Sequence, residues 1–259
     1  HGRVVHADGW RSYEQIIAVF TRAGEDTWEA QHLCRKPESK ALIYSPFSAA
    51  NVTEFADYIP GAGPIWLSYD WGFTDNTHIN LWQVRDGERP DGTRGLALYG
   101  FLELVGNQRS ERDWVEDIVI AITETEGYDG PTVEEWKLIW QGRAKWPRPW
   151  PDVWPEISAG DPSAVQFRSE LRAIGAGLVR PPKLTTHKVV SGQDTLRTLI
   201  LAGGGRQLYL HPRCGATIHS LENYRAKMLP DGSFTEKPDP DPANHAFSHG
   251  CDGPRYMAW

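Results

Sequence analysis

The chain has 259 residues, 40% of them hydrophobic, and a formal net charge of −7, so it can bury a sizeable core in one large domain or in a domain with appendages. No stretch approaches the roughly 18 uncharged apolar residues of a membrane span, and no basic-then-apolar leader opens it, so a soluble protein of the cytoplasm without membrane contact is expected. Cys34, Cys214 and Cys251 are odd in number and far apart, which argues against a disulfide framework or a paired-cysteine zinc cage and reads as free thiols. The first residue is His1 rather than Met, and a piece of a longer protein is expected.

Residues 1 to 60 mix short helical signals with Pro and Gly punctuation and read as a linker or appendage. Regular structure is predicted from Ile65. A strand runs to about Asp70, a second spans His78 to Val84, the polar turn RDGERPDGTRG follows, and a third strand covers Leu96 to Leu102, giving an antiparallel meander. In SERDWVEDIVIAITETE, Trp114, Ile118, Ala121 and Ile122 recur at helical spacing behind a capping pair, Ser110 and Asp113. The Trp- and Pro-rich stretch at about 127 to 154 reads as an insertion with one short helix near Thr132 to Gln141. The chain then returns to a strand, EISAG, closing on Asp161.

Beyond Asp161, Pro162 suits the first turn of a helix to about Ile174, and GAGLVRPP reads as a strand and exit. SGQDTLRTLILAGG opens a helix with Ser191 and Asp194 as a capping pair, RQLYLHP is a short strand, and RCGATIHSLENYRAK a helix. MLPDGSFTEKP signals a β-hairpin, and ANHAFSHGCDGPRYMAW begins a terminal helix with Asp252 near its start. The order of strands and helices predicts an α/β fold with a sheet mixed in strand direction.

Two distributions of charge carry chemistry. Between 162 and 228 ten basic residues face three acidic ones, a local +7 against −7 for the whole, so the remainder carries −14. The basic segment fits either a solvated face or a path for a polyanion. Asp70 ends the first strand, Asp161 the fourth, and Asp252 lies on the last helix. In a mixed sheet led by a meander, the first and fourth strands are neighbours at the centre, and a helix across their ends could add the third acid. Such carboxylates repel one another unless a divalent cation neutralises them, and two ions about 3.5 to 4 Å apart suit phosphodiester hydrolysis. Taken singly, each Asp reads more readily as a turn cap; the joint placement is the signal.

These motifs, taken in order, resemble the nuclease domain of the large terminase subunit of tailed bacteriophages, within the RNase H-like superfamily. WLSYDWGF resembles the first acidic motif of that family and ISAGDPSA the second. LYLHPRCGATIHSLENYRAK resembles its strand, Cys-containing turn and helix ending in Tyr, and His249, Asp252, Arg255 and Tyr256 resemble its closing His-x-x-Asp-x-x-Arg-Tyr motif. Upstream, DTWEAQHLCRKPES and LIYSPFS resemble the connector between motor and nuclease.

The resemblance implies an RNase H-like mixed β-sheet flanked by helices, with a β-hairpin before the C-terminal helix. It implies residues 1–60 as a connector from an absent ATPase motor and 61–259 as a nuclease domain with the insertion at 127–154. It also implies Asp70, Asp161 and Asp252 as catalytic metal ligands for Mg²⁺ or Mn²⁺, two ions in the substrate complex. The implied activity is cleavage of concatemeric double-stranded DNA during genome packaging in the host cytoplasm, with the motor domain, small terminase subunit and portal protein as partners. Gly253-Pro254 departs from the family pattern and is expected to delay or bend the terminal helix.

The chain lacks GxxxxGK[ST], and AGGGRQ has neither the Lys nor the hydroxyl of a phosphate loop, so no ATPase activity is expected. Lys237, at the foot of the hairpin, is a candidate for contacting the scissile phosphate, and Arg180, Lys183 and Lys188 for lining a DNA backbone path; solvated loop residues are the competing reading. His249, three residues before Asp252, is a candidate for a phosphate or a metal-bound water, or a helix cap. Asp75 and Glu103 read as turn or supporting residues. Trp136, Trp140, Trp146, Trp150 and Trp154 read as packing of the insertion, with stacking on unpaired bases as the alternative. A junction resolvase or transposase of the same fold, and a DNA-gripping module with structural acids, are the rival functions.

Overall fold

The computed structural model describes residues 41–145, 151–175, 189–201 and 205–258. The chain divides into two compact units, His1–Ala41 and Leu42–Trp259, and the second holds every strand and helix named below. Strands β1 (Ile65–Asp70), β2 (Thr77–Glu88) and β3 (Arg94–Gly106) form the antiparallel meander. Strand β4 (Pro155–Gly160) pairs parallel to β1, and β5 (Leu208–Leu210) parallel to β3, giving the order β4-β1-β2-β3-β5. Strands β1 and β4 are neighbours as the sequence suggests, but β4 is the outermost strand among the described residues rather than a central one. From residue 176 the expected strand GAGLVRPP lies outside them.

Both long strands outrun their predicted ends. Pairing continues to Glu88 opposite Arg94, because a polar hairpin arm keeps its backbone ladder without needing apolar alternation, and Arg89 N–H closes the turn on the Thr93 carbonyl at 2.8 Å.

Helix α1 (Glu111–Thr123) starts on the predicted capping box: Asp113 N–H donates to Ser110 Oγ at 3.2 Å and Ser110 N–H to Asp113 Oδ2 at 3.1 Å. Helix α2 (Val133–Trp140) is capped by Thr132, and its Trp136 stacks on Trp154 at 4.2 Å with both rings buried, so these two tryptophans pack the insertion onto the domain. Trp146 and Trp150 lie outside the described residues. Helix α3 (Val165–Ala173) begins three residues after Pro162, because the Asp161 carboxylate first closes a separate turn with Ser163. Helix α4 (Val189–Ile200) places Ser191 inside rather than at its start; Asp194 instead pairs with Arg197. Helix α5 (Gly215–Asn223), the hairpin of β6 (Ala226–Met228) and β7 (Phe234–Pro238), and helix α6 (Pro242–Met257) complete the fold.

Every second residue of β1 faces the same way. Ile65, Leu67 and Tyr69 join Ile79, Leu81, Trp114, Ile118, Phe167 and Leu171 in one core. Trp82, Leu196, Leu210, Leu221, Cys251 and Met257, with Trp66 against them, form the core on the other face. The sheet is thus sandwiched between helices, which is why β1 is buried almost throughout. Tyr44 and Phe47, upstream of the sheet, are buried in the second core. Cys214 and Cys251 are free and buried, as expected; Cys34 lies outside the described residues. No described helix is long and apolar enough to cross a membrane.

Candidate active site

The second face of the sheet carries a polar row. Across β1 and β2, Asp70 stands opposite His78, Ser68 opposite Asn80 and Trp66 opposite Trp82. Trp82 Nε1–H donates to Ser68 Oγ at 2.8 Å, and Asn80 Nδ2–H to Thr217 Oγ1 at 3.0 Å. The row ends where β1 ends, so the last side chain on this face is Asp70.

Two glycines bring the neighbouring acids to that end. Gly160 pairs with Tyr69, and a Cβ on it would meet the Tyr69 carbonyl oxygen at 2.2 Å, so only Gly lets β4 lie this close; Asp161 follows, its N–H donating to the same carbonyl at 3.3 Å. On α6, a Cβ at Gly253 would lie 3.3 Å from Ser68 Oγ and 3.4 Å from Asn80 Oδ1, so the helix turn that carries Asp252 sits directly on the polar row.

Helix α6 differs from expectation. Asp241 caps it by accepting from Ala243 N–H at 2.9 Å, Pro242 occupies its first turn, and it continues through Pro254, where Ala258 N–H still reaches the Pro254 carbonyl at 3.0 Å. Asp252 therefore lies in the latter half of a 16-residue helix, not near its start, and His249 is a mid-helix residue rather than a cap.

Asp70 and Asp252 each feel the charge of a neighbouring acid. Burial pushes Asp70 up, the hydrogen bond from His249 opposes this, and the charge of Asp161 pushes it further up. Burial raises Asp252 to about 6, offset in part by Arg255, with the charge of Asp70 adding to the rise. Burial also raises the Tyr256 phenol, and the charges of Asp252, Asp70 and Asp161 each push it up further. Each acid has one holder. His249 Nδ1 lies 2.6 Å from Asp70 Oδ2; Arg255 Nη2 lies 2.8 Å from Asp252 Oδ2; Ser163 gives its N–H to Asp161 Oδ1 at 2.8 Å and its hydroxyl to Oδ2 at 2.5 Å. His78, stacked on His249 at 6.5 Å, is pushed down to about 4 by burial and stays neutral.

The structure thus joins Asp70 to His249 by a hydrogen bond and sets Asp161 and Asp252 within reach of the charge of Asp70, although among the described residues the three aspartates are not a set whose ligand atoms all lie within 4.8 Å of one another. Lys237 is exposed at the end of β7 and lines a cavity of about 600 Å³ with Tyr224, His245, Ser248 and Asp252. Arg180, Lys183 and Lys188 lie outside the described residues. Glu103 lies on the same face of the sheet but serves α5, accepting from Thr217 N–H and Oγ1–H and from Ala216 N–H at 2.7, 2.6 and 2.9 Å. Sequence reasoning misses His245 and reads Asp75 as a turn residue, yet both stand beside His249 with ligand atoms within 4.8 Å of one another. The i, i+4 spacing of His245 and His249 is the available signal, visible only once the helix is started at Pro242.

A five-stranded mixed sheet with helices on both faces makes this a mixed α/β protein, with acids at the ends of β1 and β4 and on the last helix. No protein-family model matches the chain, and no curated protein matches it. Among solved structures it is similar to the large terminase from a thermophilic bacteriophage. In one crystal form of that protein the TM-score is 0.57 at 16% identity, over 96% of this chain and 52% of that one. In another it is 0.55 at 18% identity, over 84% and 43%. The nuclease domain of the P22 large terminase aligns with a TM-score of 0.48 at 11% identity, over 84% of this chain and 91% of that one. The chain spans about half the length of the thermophilic phage terminase it matches, and what it shares with that protein is the fold.

Proposed function

We propose that the chain is the nuclease part of a large terminase, a divalent-metal-dependent endonuclease that cuts concatemeric viral DNA during genome packaging. The observation that supports the reading is the placement of Asp70, Asp161 and Asp252 at one end of the sheet in a fold shared with a large terminase, with the charge of Asp161 acting on Asp70 and that of Asp70 on Asp252. The donor set fits Mg²⁺ or Mn²⁺: sheltered carboxylate oxygens whose mutual repulsion a cation would relieve. Two such ions would supply the charge that stabilises the attacking water and the leaving oxygen of an in-line cleavage.

In this reading the chain's own residues do the positioning. His249 fixes the rotamer of Asp70, Ser163 that of Asp161 and Arg255 that of Asp252. Lys237 meets a phosphate at the rim of the cavity, while Arg180, Lys183 and Lys188 follow the backbone, so affinity for double-stranded DNA falls steeply with salt and depends little on sequence. Residues 61–259 form the nuclease domain, with 127–154 inserted, and 1–60 connect to an ATPase motor. That motor, the small terminase subunit and the portal protein, meeting in the host cytoplasm, decide where the cut falls.

The test is cleavage of linear duplex by the purified chain with Mn²⁺, with Mg²⁺ and with EDTA. Metal-dependent cutting lost in Asp161→Asn is the expected result. Absence of cutting with every metal would leave a DNA-gripping module, and a strong preference for four-way junctions over linear duplex would favour a resolvase.

A further inference from the structure

We propose a second metal site, separate from the carboxylate cluster, in which His245, His249 and Asp75 hold an imidazole-preferring divalent ion, with Zn²⁺ as the probe. The decisive observation is the state of His249. Its Nδ1 is committed to Asp70 Oδ2 at 2.6 Å, and its Nε2 is buried without any hydrogen-bond partner. A buried imidazole nitrogen left unpaired is costly, and a bound ion is one of the partners that would satisfy it.

That nitrogen lies 3.9 Å from Asp75 Oδ2, too far for a hydrogen bond and a few tenths of an ångström beyond the roughly 3.3 to 3.5 Å between two ligands of one tetrahedral ion, a gap that a small turn of the exposed Asp75 side chain closes. His245, one turn earlier on α6, brings its ring to 5.1 Å from that of His249, and ligand atoms of all three residues lie within 4.8 Å of one another. The chemistry of Asp70 completes the pattern. A metal-bound imidazole almost always donates its other N–H to a carboxylate, which fixes the tautomer and raises the basicity of the ligating nitrogen. In the neutral ring that donates Nδ1–H to Asp70, Nε2 carries the lone pair that an ion would take.

Two imidazoles and one carboxylate suit Zn²⁺ or Co²⁺ in four-coordinate geometry with an open fourth position, and suit Mg²⁺ poorly, because Mg²⁺ demands oxygen ligands and octahedral geometry. His245 and Asp75 are exposed, so an ion reaches the site from solvent. An ion there pins His249 neutral with its proton on Nδ1, so Asp70 is held as a charged acceptor. The site thereby acts on the carboxylate cluster through one shared hydrogen bond. The inference rests on these residues and not on the nuclease reading; it stands or falls on binding alone.

Isothermal titration of the metal-free chain with Zn²⁺, paired with the visible absorption of Co²⁺, tests it. One Zn²⁺ should bind and resist a large excess of Mg²⁺, and Co²⁺ should give the intense absorption of a four-coordinate site. His245→Ala and Asp75→Asn, both at exposed positions, should each weaken Zn²⁺ by at least about tenfold while the circular dichroism stays native. Asp161→Asn, the control for the carboxylate cluster, should leave Zn²⁺ affinity within about twofold. Zn²⁺ binding unchanged in both His245→Ala and Asp75→Asn, or Zn²⁺ displaced by Mg²⁺ in proportion, would overturn the site, whatever the outcome of the cleavage assay.

Discussion

Asp70 and Glu103 stand on the same face of one sheet, on β1 and β3, and their surroundings could hardly differ more. Glu103 is saturated: both its oxygens accept from the first turn of α5, where free N–H groups and the positive end of the helix dipole welcome an anion. Asp70 has one partner, His249, and faces the charge of Asp161 instead of a helix start. An acid on a buried strand face is therefore structural when backbone donors exhaust its lone pairs. It is a candidate for chemistry when lone pairs are left over and like charges surround it.

The largest expected effect breaks the comparison at Asp70. Asp70→Asn keeps the shape and the contact with His249 but removes the charge, so Mn²⁺-dependent cleavage should fall by about 10³-fold or more while stability holds or rises, since a costly buried carboxylate is gone. Denaturant unfolding and a cleavage time course on the same preparation check both halves. A folded variant that cuts at the native rate would place Asp70 with Glu103 among structural acids.

The next effect is a pH dependence of the metal-free protein. Asp252 is raised to about 6 in the fold, above its ordinary value of 3.8, so the folded state binds the proton more tightly than the unfolded chain. Its contribution is most favourable below about pH 4 and is lost as pH rises to about 6, by about 3 kcal/mol at most. Mn²⁺ should restore that loss above pH 6 and should bind progressively better across the same window, because it competes with the proton. Unfolding midpoints at pH 4.0 to 7.0 (roughly 1-unit steps suffice for a shift of this size) with and without Mn²⁺ measure it. A midpoint whose pH dependence without metal is the same in Asp252→Asn as in the native chain would contradict the raised Asp252.

Glu103 should show the converse of Asp70. Glu103→Ala strips three hydrogen bonds from the start of α5 and should cost about 2 to 3 kcal/mol of stability, and Glu103→Gln about 1, with cleavage per folded molecule unchanged in both. Loss of cleavage at full stability in Glu103→Gln would move this acid into the site.

Much of this contrast is legible in the sequence. Asp70 and Asp161 are readable because each interrupts or ends an apolar, β-rich run, a local signal, and the capping box of Ser110 and Asp113 is readable because it is written in four adjacent residues. Glu103 can be set aside as a supporting residue, but its partners on α5 lie 113 and 114 residues away, beyond any local pattern. The start of α6 escapes sequence reading for a different reason. Gly250, Gly253 and Pro254 lower helix propensity in its second half, yet packing against β1 and α5 overrides propensity, and with the helix extended to Pro242 the pair His245 and His249 comes onto one face. The placement of Asp75 beside them depends on the loop after β1, held where Thr77 Oγ1 bonds Gly72 on both sides at 3.1 and 2.6 Å, and nothing in the residue pattern announces that closure.

The smallest expected effect concerns how the two regions are held in place. Around Glu103, helix α5 is fixed by three hydrogen bonds; around Asp70, α6 is held by the single bond from His249 and by bare contact at Gly253, where a Cβ would have no slack. Gly253→Ala adds a methyl 3.3 Å from Ser68 Oγ and 3.4 Å from Asn80 Oδ1, tighter than ordinary contact by a few tenths of an ångström. Replacing a helical Gly gains about 1 kcal/mol of helix propensity, and crowding two buried polar side chains costs a similar amount, so net stability should move by less than about 1 kcal/mol. The carboxylate of Asp252, carried on the adjacent residue, shifts away from β1 by the same few tenths, and a catalytic carboxylate displaced that far should lower cleavage by about tenfold. Unfolding curves and cleavage rates for Gly253→Ala, set beside those for Glu103→Gln, separate the two modes of support: the first should lose rate without stability, the second stability without rate. A Gly253→Ala variant that keeps its full rate would mean that α6 adjusts freely and that the distance between Asp252 and β1 is set elsewhere.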